Sequence, residues 1–179
     1  MSTPRRTIAL VGMRCTGKSV TGRILAELLA LPFLDLDEEL LIDARHAGVR
    51  AASAGALLMD VGQFAFRGFE ASALRRVLEP SQQVVLATGG GTLESVANRG
   101  WLKRCARCIW LRAGAQVLHK RMQADETLRP ALSGADPLRE IEQLLRRRSP
   151  DYARLSELEI NAESKGPEEL ARDLILGLG

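Results

Sequence analysis

Gly12-Met13-Arg14-Cys15-Thr16-Gly17-Lys18-Ser19 is the stretch that decides how this chain is read. It matches G-x-x-x-x-G-K-S/T, and its flanks matter more than the string itself. Before it, Thr7-Ile8-Ala9-Leu10-Val11 is a short apolar run stopped by Gly12, which predicts a buried strand. After it, Val20, Ile24, Leu25, Leu28 and Leu29 recur at helical spacing, which predicts a helix from Lys18 to Ala30. In such a unit the N–H groups of the loop and of the helix start point into one concavity that suits phosphate oxygens. The expected ATP contacts are therefore Gly12, Cys15, Thr16, Gly17, Lys18, Ser19 and Val20. Lys18 is placed to reach the β- and γ-phosphates, and the Ser19 hydroxyl to ligate Mg²⁺.

Outward from that unit, strands and helices alternate, which predicts an α/β fold with a parallel sheet covered on both faces. Pro32 to Asp37 reads as a second strand. Glu38 to Leu58 reads as helix in pieces, broken near Gly48 and Gly55, and Phe64 to Leu78 as another helix. Val84-Val85-Leu86-Ala87 is a strand that runs into Thr88-Gly89-Gly90-Gly91, and a helix follows to about Lys103. Cys108 to Leu111 is a strand and Ala115 to Met122 a helix. Residues 123–136 are polar, with Pro130 and Gly134, and read as a loop. Pro137 to Arg148 is a helix, Leu158 to Ile160 a last strand, and Pro167 to Leu178 a last helix with its proline in the first turn.

Composition narrows the function classes. Of 179 residues, 46% are apolar and 26% charged, which suits one globular domain with a real core. No apolar run reaches the roughly 18 residues of a membrane span. Met1 to Arg6 has a basic start but neither the apolar region nor the cleavage site of a signal peptide, so a cytoplasmic protein is expected. A net charge of +3 and a pI of about 9.0 suit an enzyme of phosphates and carboxylates as well as a nucleic-acid binder. Aromatic residues are only 4% and are not interleaved with the basic ones, so no base-stacking surface and no nucleic-acid partner are expected. Arg146-Arg147-Arg148 reads as a solvated helix face for two of its three members. Cys15, Cys105 and Cys108 are an odd number, and Cys105-Ala106-Arg107-Cys108 lacks the second pair that a zinc site needs.

Further motifs carry chemistry. In Asp35-Leu36-Asp37, strand alternation puts both carboxylates on one side, at the strand end where open parallel sheets bind ligands. One acid can hold hydrated Mg²⁺ and the other can accept a hydroxyl proton. The plain alternative is an acidic helix start, Asp37-Glu38-Glu39. Arg67 and Glu70 share a helix face, as a carboxylate-binding fork or as a simple ion pair. Gly89-Gly90-Gly91 would let a ligand approach the backbone. Arg129 in the polar loop could close over the phosphates as a lid. Arg148, at the expected end of its helix, could merely complement the helix dipole.

Taken together these pieces resemble the shikimate kinase family. The resemblance rests on the GKS loop, Asp35-x-Asp37, Gly62-x-x-x-Phe66-Arg67-x-x-Glu70, Gly89-Gly90-Gly91, Arg129-Pro130 and Arg148-x-Pro150-x-Tyr152, which follow the family's order. The Gly12-Met13-Arg14 opening also looks like the shikimate kinase part of the fused multifunctional enzymes of aromatic amino acid biosynthesis. The resemblance implies a P-loop NTPase of nucleoside-monophosphate-kinase type, a three-layer α/β/α fold on a five-stranded parallel sheet. It implies a substrate-binding insertion over about 38–70 and a lid over about 123–136. It implies that ATP, with Mg²⁺, phosphorylates the 3-hydroxyl of shikimate in a monomeric enzyme.

The same resemblance implies roles for individual residues. Asp37 would bind ring hydroxyls and help deprotonate the attacking one. Arg67 and Arg148 would clamp the shikimate carboxylate, with Glu70 in support, and Gly89, Gly90 and Gly91 would line that site. Asp35 would hold Mg²⁺ through water, Arg129 would reach the phosphates, and Arg121 would pack against adenine. The chain departs from the family pattern at Cys15, where glycine is usual, at Gln63, and in the wording of residues 51–58. A gluconate-type kinase and a nucleotide-binding homologue without catalysis share the GKS loop and are the alternative readings.

Overall fold

The computed structural model describes residues 6–79, 83–124 and 136–178. Its elements run β1 (Thr7–Val11), α1 (Lys18–Leu29), β2 (Phe33–Asp35), α2 (Leu36–His46), α3 (Ala54–Val77), β3 (Val85–Ala87), a 3-10 turn (Thr92–Glu94), α4 (Val96–Cys105), β4 (Ala106–Arg112), α5 (Ala115–Ala124), α6 (Pro137–Leu155), β5 (Leu158–Asn161) and α7 (Pro167–Leu178). All five strands are parallel, in the order β2-β3-β1-β4-β5.

Alternation within the strands sorts the core into two layers. Ala9, Val11, Leu86, Cys108 and Trp110 face one side and pack with Leu36, Leu40, Leu74, Leu102 and Tyr152 from α2, α3, α4 and α6. Ile8, Leu10, Val85, Ile109 and Leu111 face the other and pack with Leu25, Leu170 and Leu174 from α1 and α7. Strands buried on both faces read as continuous apolar runs rather than alternating ones, which is why β1 was legible from its composition.

The strand order does the positioning. β2, β3 and β1 are neighbours, so the segments after their carboxyl ends meet: Asp35 and Asp37, the three glycines, and the GKS loop. The chain turns to opposite sides of β1, towards β3 and towards β4, and that is the crevice where open α/β sheets take ligands.

Four expectations need correction. β2 ends at Asp35 and α2 begins at Leu36, so Asp37 is not a strand residue; Asp35 Oδ1 accepts from Asp37 N at 3.0 Å and caps the helix instead. Gly55 interrupts nothing, because Ser53 caps α3 just before it through Ala56 N; the break is at Gly62, whose φ of 76° kinks α3. The break near Gly48 holds, with a φ of 85°. α6 does not stop at Arg148 but continues through Pro150 to Leu155, held by buried Tyr152. Arg148 therefore lies inside a helix and has no terminal dipole to complement. Arg129 and Pro130, with most of the expected lid, lie outside the described residues.

Candidate active site

The GKS loop owes its shape to backbone angles few residues tolerate. Gly12, Cys15 and Gly17 have φ of 139°, 61° and 91°. At Gly12 a β-carbon would stand 2.5 Å from the Leu111 carbonyl oxygen, so only glycine fits. Cys15, where the family pattern has glycine, adopts the left-handed conformation at a cost of roughly 1–2 kcal/mol. Thr16 is buried and its Oγ1 donates to Met13 O at 2.9 Å, closing the loop from behind. Gly12 and Thr16 thus shape the cradle, while Cys15, Gly17, Lys18, Ser19 and Val20 line it. α1 has Gly17 at its N-cap, with no side-chain cap and no acid in its first turn. Its N-terminal N–H groups and positive dipole end are left for an anion.

Lys18 is buried, and its Nζ donates to Gly12 O at 3.0 Å and Met13 O at 2.7 Å. Burial lowers its pKa to about 8; Asp37, Asp35 and Cys15 oppose that shift, and Arg148 adds to it. Ser19 Oγ donates to Asp35 Oδ2 at 2.5 Å. A hydroxyl and a carboxylate side by side beneath a phosphate cradle are hard oxygen donors, and they fit Mg²⁺, which keeps several waters and needs few protein ligands. No cluster of three or more acidic, His or Cys side chains that could cage a metal exists among the described residues. Cys105 is half-buried and Cys108 buried, and burial pushes the Cys108 thiol up to about 12.

Asp37 and the three glycines share one cavity of about 740 Å³ with Lys18, Asp35, Arg67, Glu70, Arg121 and Arg148. Arg67 projects from α3 and donates from Nη1 to Glu70 at 2.8 Å and from Nη2 to Glu94 at 3.0 Å. Arg148 projects from α6 and donates from Nε to the other oxygen of Glu94 at 3.1 Å. The two guanidinium groups, from separate helices, thus meet at one corner. Arg146 and Arg147 are exposed and Arg148 is turned inward, but Arg147, read as one of two solvated arginines, also donates to Glu94 at the cavity wall. Glu70 is 1% exposed, and a buried carboxylate needs partners; it has Arg67 and the Thr92 hydroxyl, the latter at 2.8 Å. At Gly90 a β-carbon would stand 2.9 Å from Arg14 N, so the glycine turn presses on the GKS loop. Arg121 donates to Cys15 O at 3.3 Å and Ala162 O at 2.6 Å, which ties the loop to the segment after β5.

Sequence reasoning missed Glu94, Arg14, Arg147 and Leu58, all on the cavity wall. None has a local signal: a glutamate in a turn and an arginine on a helix look the same whether they face water or a ligand.

An anion cradle with a carboxylate pair beside it, opening on the same cavity as a two-arginine corner, defines a P-loop phosphotransferase for a small molecule. The family model described as shikimate kinase matches residues 14–178, and the chain belongs to that family. A curated shikimate kinase of Bordetella pertussis is 37% identical over 169 residues, 94% of this chain and 76% of the relative. One of Symbiobacterium thermophilum is 34% identical over 173 residues, covering 94% and 93%. Among solved structures, the shikimate kinase from Acinetobacter baumannii in complex with shikimate superimposes with a TM-score of 0.85 at 29% identity, over 97% of this chain and 92% of that one. The nucleoside-monophosphate-kinase-like α/β fold expected from the motifs is the fold of these neighbours, and the family's phosphotransferases use ATP with Mg²⁺.

Proposed function

We propose that this cavity transfers the γ-phosphoryl group of ATP to the 3-hydroxyl of shikimate, giving ADP and shikimate 3-phosphate. The convergence of Arg67 and Arg148 on one corner, across from Lys18 and Asp37, carries this reading. A planar fork on each side suits an acceptor carboxylate. Gluconate carries one too, so the choice of shikimate over a gluconate-type acceptor is supported by the family match rather than by the arginines.

The α1 N-terminus and the loop backbone hold the phosphates, and Lys18 places its charge on the transferring group as it leaves ADP. Ser19 and Asp35 would hold Mg²⁺, which would supply positive charge against the phosphates. Asp37 binds the acceptor hydroxyl and takes its proton as the oxygen attacks. Arg67 and Arg148 fix the acceptor by its carboxylate, and Gly89, Gly90 and Gly91 let the ring lie against backbone. Glu70 holds Arg67 in place. Most of the rate enhancement then comes from positioning and charge, as phosphoryl transfer allows. Arg121 flanks the adenine, while Arg129, expected to contact the phosphates, lies outside the described residues. Residues 38–70 form the substrate-binding insertion of one domain spanning 1–179.

We read the enzyme as a cytoplasmic monomer without nucleic-acid or membrane partners. Among the described residues no helix is long and apolar enough to cross a membrane. Light scattering of the pure protein checks the monomer.

The deciding assay measures ADP release from ATP and Mg²⁺ with shikimate, against gluconate and nucleoside monophosphates. Turnover with shikimate alone is expected. Turnover on gluconate instead, or ATP binding without turnover on any acceptor, overturns the reading.

A further inference from the structure

Glu94 has no part in the reaction as described, yet it touches three arginines. Its Oε2 accepts from Arg67 and its Oε1 from both Arg147 and Arg148. Burial disfavours its charge, but Arg148, Arg147 and Arg67 outweigh that and hold the carboxyl below the ordinary carboxylate range. We propose that Glu94 is a positioning residue that assembles the two-arginine clamp for the acceptor carboxylate, joining Arg67 of α3 to Arg148 of α6 before the acceptor arrives. The proposal rests on the shikimate reading above.

Charge makes such a residue necessary. Arg67 and Arg148 reach the same carboxylate from different helices, and two guanidinium groups that close repel each other in a sheltered cavity. An anion between them cancels that repulsion. Glu70 does not do this for both: among the described residues its hydrogen bonds are with Arg67 and Thr92, and none reaches Arg148.

Glu94 makes one bond to each clamp arginine rather than a bidentate pair with either. It meets Arg67 through Nη2 alone and Arg148 through Nε alone. A carboxylate seated in the clamp would take two parallel bonds from a guanidinium fork. With three arginines against Glu70 and Glu94, the corner keeps one net positive charge, which matches one acceptor carboxylate.

The backbone beneath Glu94 is itself fixed to both helices. Glu94 N donates to Gly91 O at 3.0 Å in the 3-10 turn. Thr92 binds Glu70 of α3. Arg99 donates to Leu93 O and, at 3.0 Å, to Asp151 of α6. A carboxylate on this turn is therefore held in register with both arginines.

The test compares wild type with Glu94→Ala, Glu94→Gln and Glu94→Asp in steady-state kinetics against shikimate and against ATP, with melting curves for each. Removing charge-assisted bonds to both clamp arginines is expected to raise the shikimate KM of Glu94→Ala by about tenfold or more, with ATP KM within about twofold. Glu94→Gln keeps the volume and loses the charge, so it guards against a variant that fails to fold, and its shikimate KM should rise in the same direction. Glu94→Asp should recover part of the loss. An unchanged or lowered shikimate KM in the Ala and Gln variants, or equal rises for both substrates, overturns the proposal. Wild-type protein without shikimate-dependent ADP release overturns the underlying reading instead, so the two failures are told apart.

Discussion

Tyr152 Oη donates a 2.5 Å hydrogen bond to the Gly90 carbonyl oxygen and fastens the middle of α6 to the glycine turn after β3. Tyr152 is fully buried and its ring lies 5.7 Å from that of Trp110. Through this bond the helix that carries Arg148 is joined to the glycine turn on the cavity wall. Tyr152→Phe keeps the ring and leaves the Gly90 carbonyl without this donor, at an expected cost of about 1–3 kcal/mol of stability. Urea unfolding reads that cost, and shikimate KM should rise more than ATP KM. Unchanged stability would show that the bond contributes nothing net.

Asp35 has two jobs that one substitution separates. Asn keeps the cap of α2, since asparagine is as good an N-cap as aspartate. It removes the charge beside Ser19. Asp35→Asn should therefore melt close to wild type while needing roughly tenfold more Mg²⁺ for half-maximal rate, as expected for losing a charged outer-shell partner. A titration of Mg²⁺ at fixed ATP reads this; an unchanged Mg²⁺ requirement would remove Asp35 from the ion site.

Lys18 sets a pH dependence. Its ammonium loses its proton near pH 8 in the folded protein, against a reference value of 10.5. As pH rises through about 8, kcat/KM for ATP should fall, because the neutral amine no longer draws phosphate. Bound phosphates favour the charged form, so the corresponding limb of kcat should lie higher. Stability runs the other way. Between pH 8 and 10.5 the unfolded chain binds more protons at this site than the folded one, so this lysine's contribution to folding improves as pH rises there. Below pH 8 both forms are charged and the burial cost is constant. Parallel alkaline limbs for kcat and kcat/KM would contradict the assignment.

Arg67 contributes to both affinity and stability. Arg67→Ala should raise shikimate KM by about tenfold to a hundredfold, in line with losing charge-assisted bonds to a carboxylate, and change ATP KM little. It also leaves Glu70, 1% exposed, bonded to the Thr92 hydroxyl but without its guanidinium partner, and stability should fall by roughly 3–5 kcal/mol, as when one member of a buried pair is removed. Initial-rate kinetics and urea unfolding separate the two effects. Equal loss of both substrates would contradict the role.

Signals with a short range were legible. β1, the GKS loop and α1 follow from an apolar run, two glycines and a 3.6-residue period. The glycine turn after β3 is visible for the same reason. The acid pair was half legible. Alternation in an extended strand and capping of a helix both put Asp35 and Asp37 at the same end of the sheet, and only the hydrogen bond from Asp37 N to Asp35 tells them apart. The end of α6 was misplaced at Arg148 because a proline usually stops a helix, whereas burial of Tyr152 against Met13 and Trp110 carries this one past Pro150.

What nearest-neighbour patterning could settle was the fold type, the phosphate cradle and the residue types around it, since strand and helix periods and the tolerated φ angles are properties of a few adjacent residues. Which arginines line the cavity, and which glutamate lies between Arg67 and Arg148, was settled by packing. The partners come from α3, from the turn after β3 and from α6, and no periodicity along the chain encodes a charge balance among segments that meet only when the sheet is assembled.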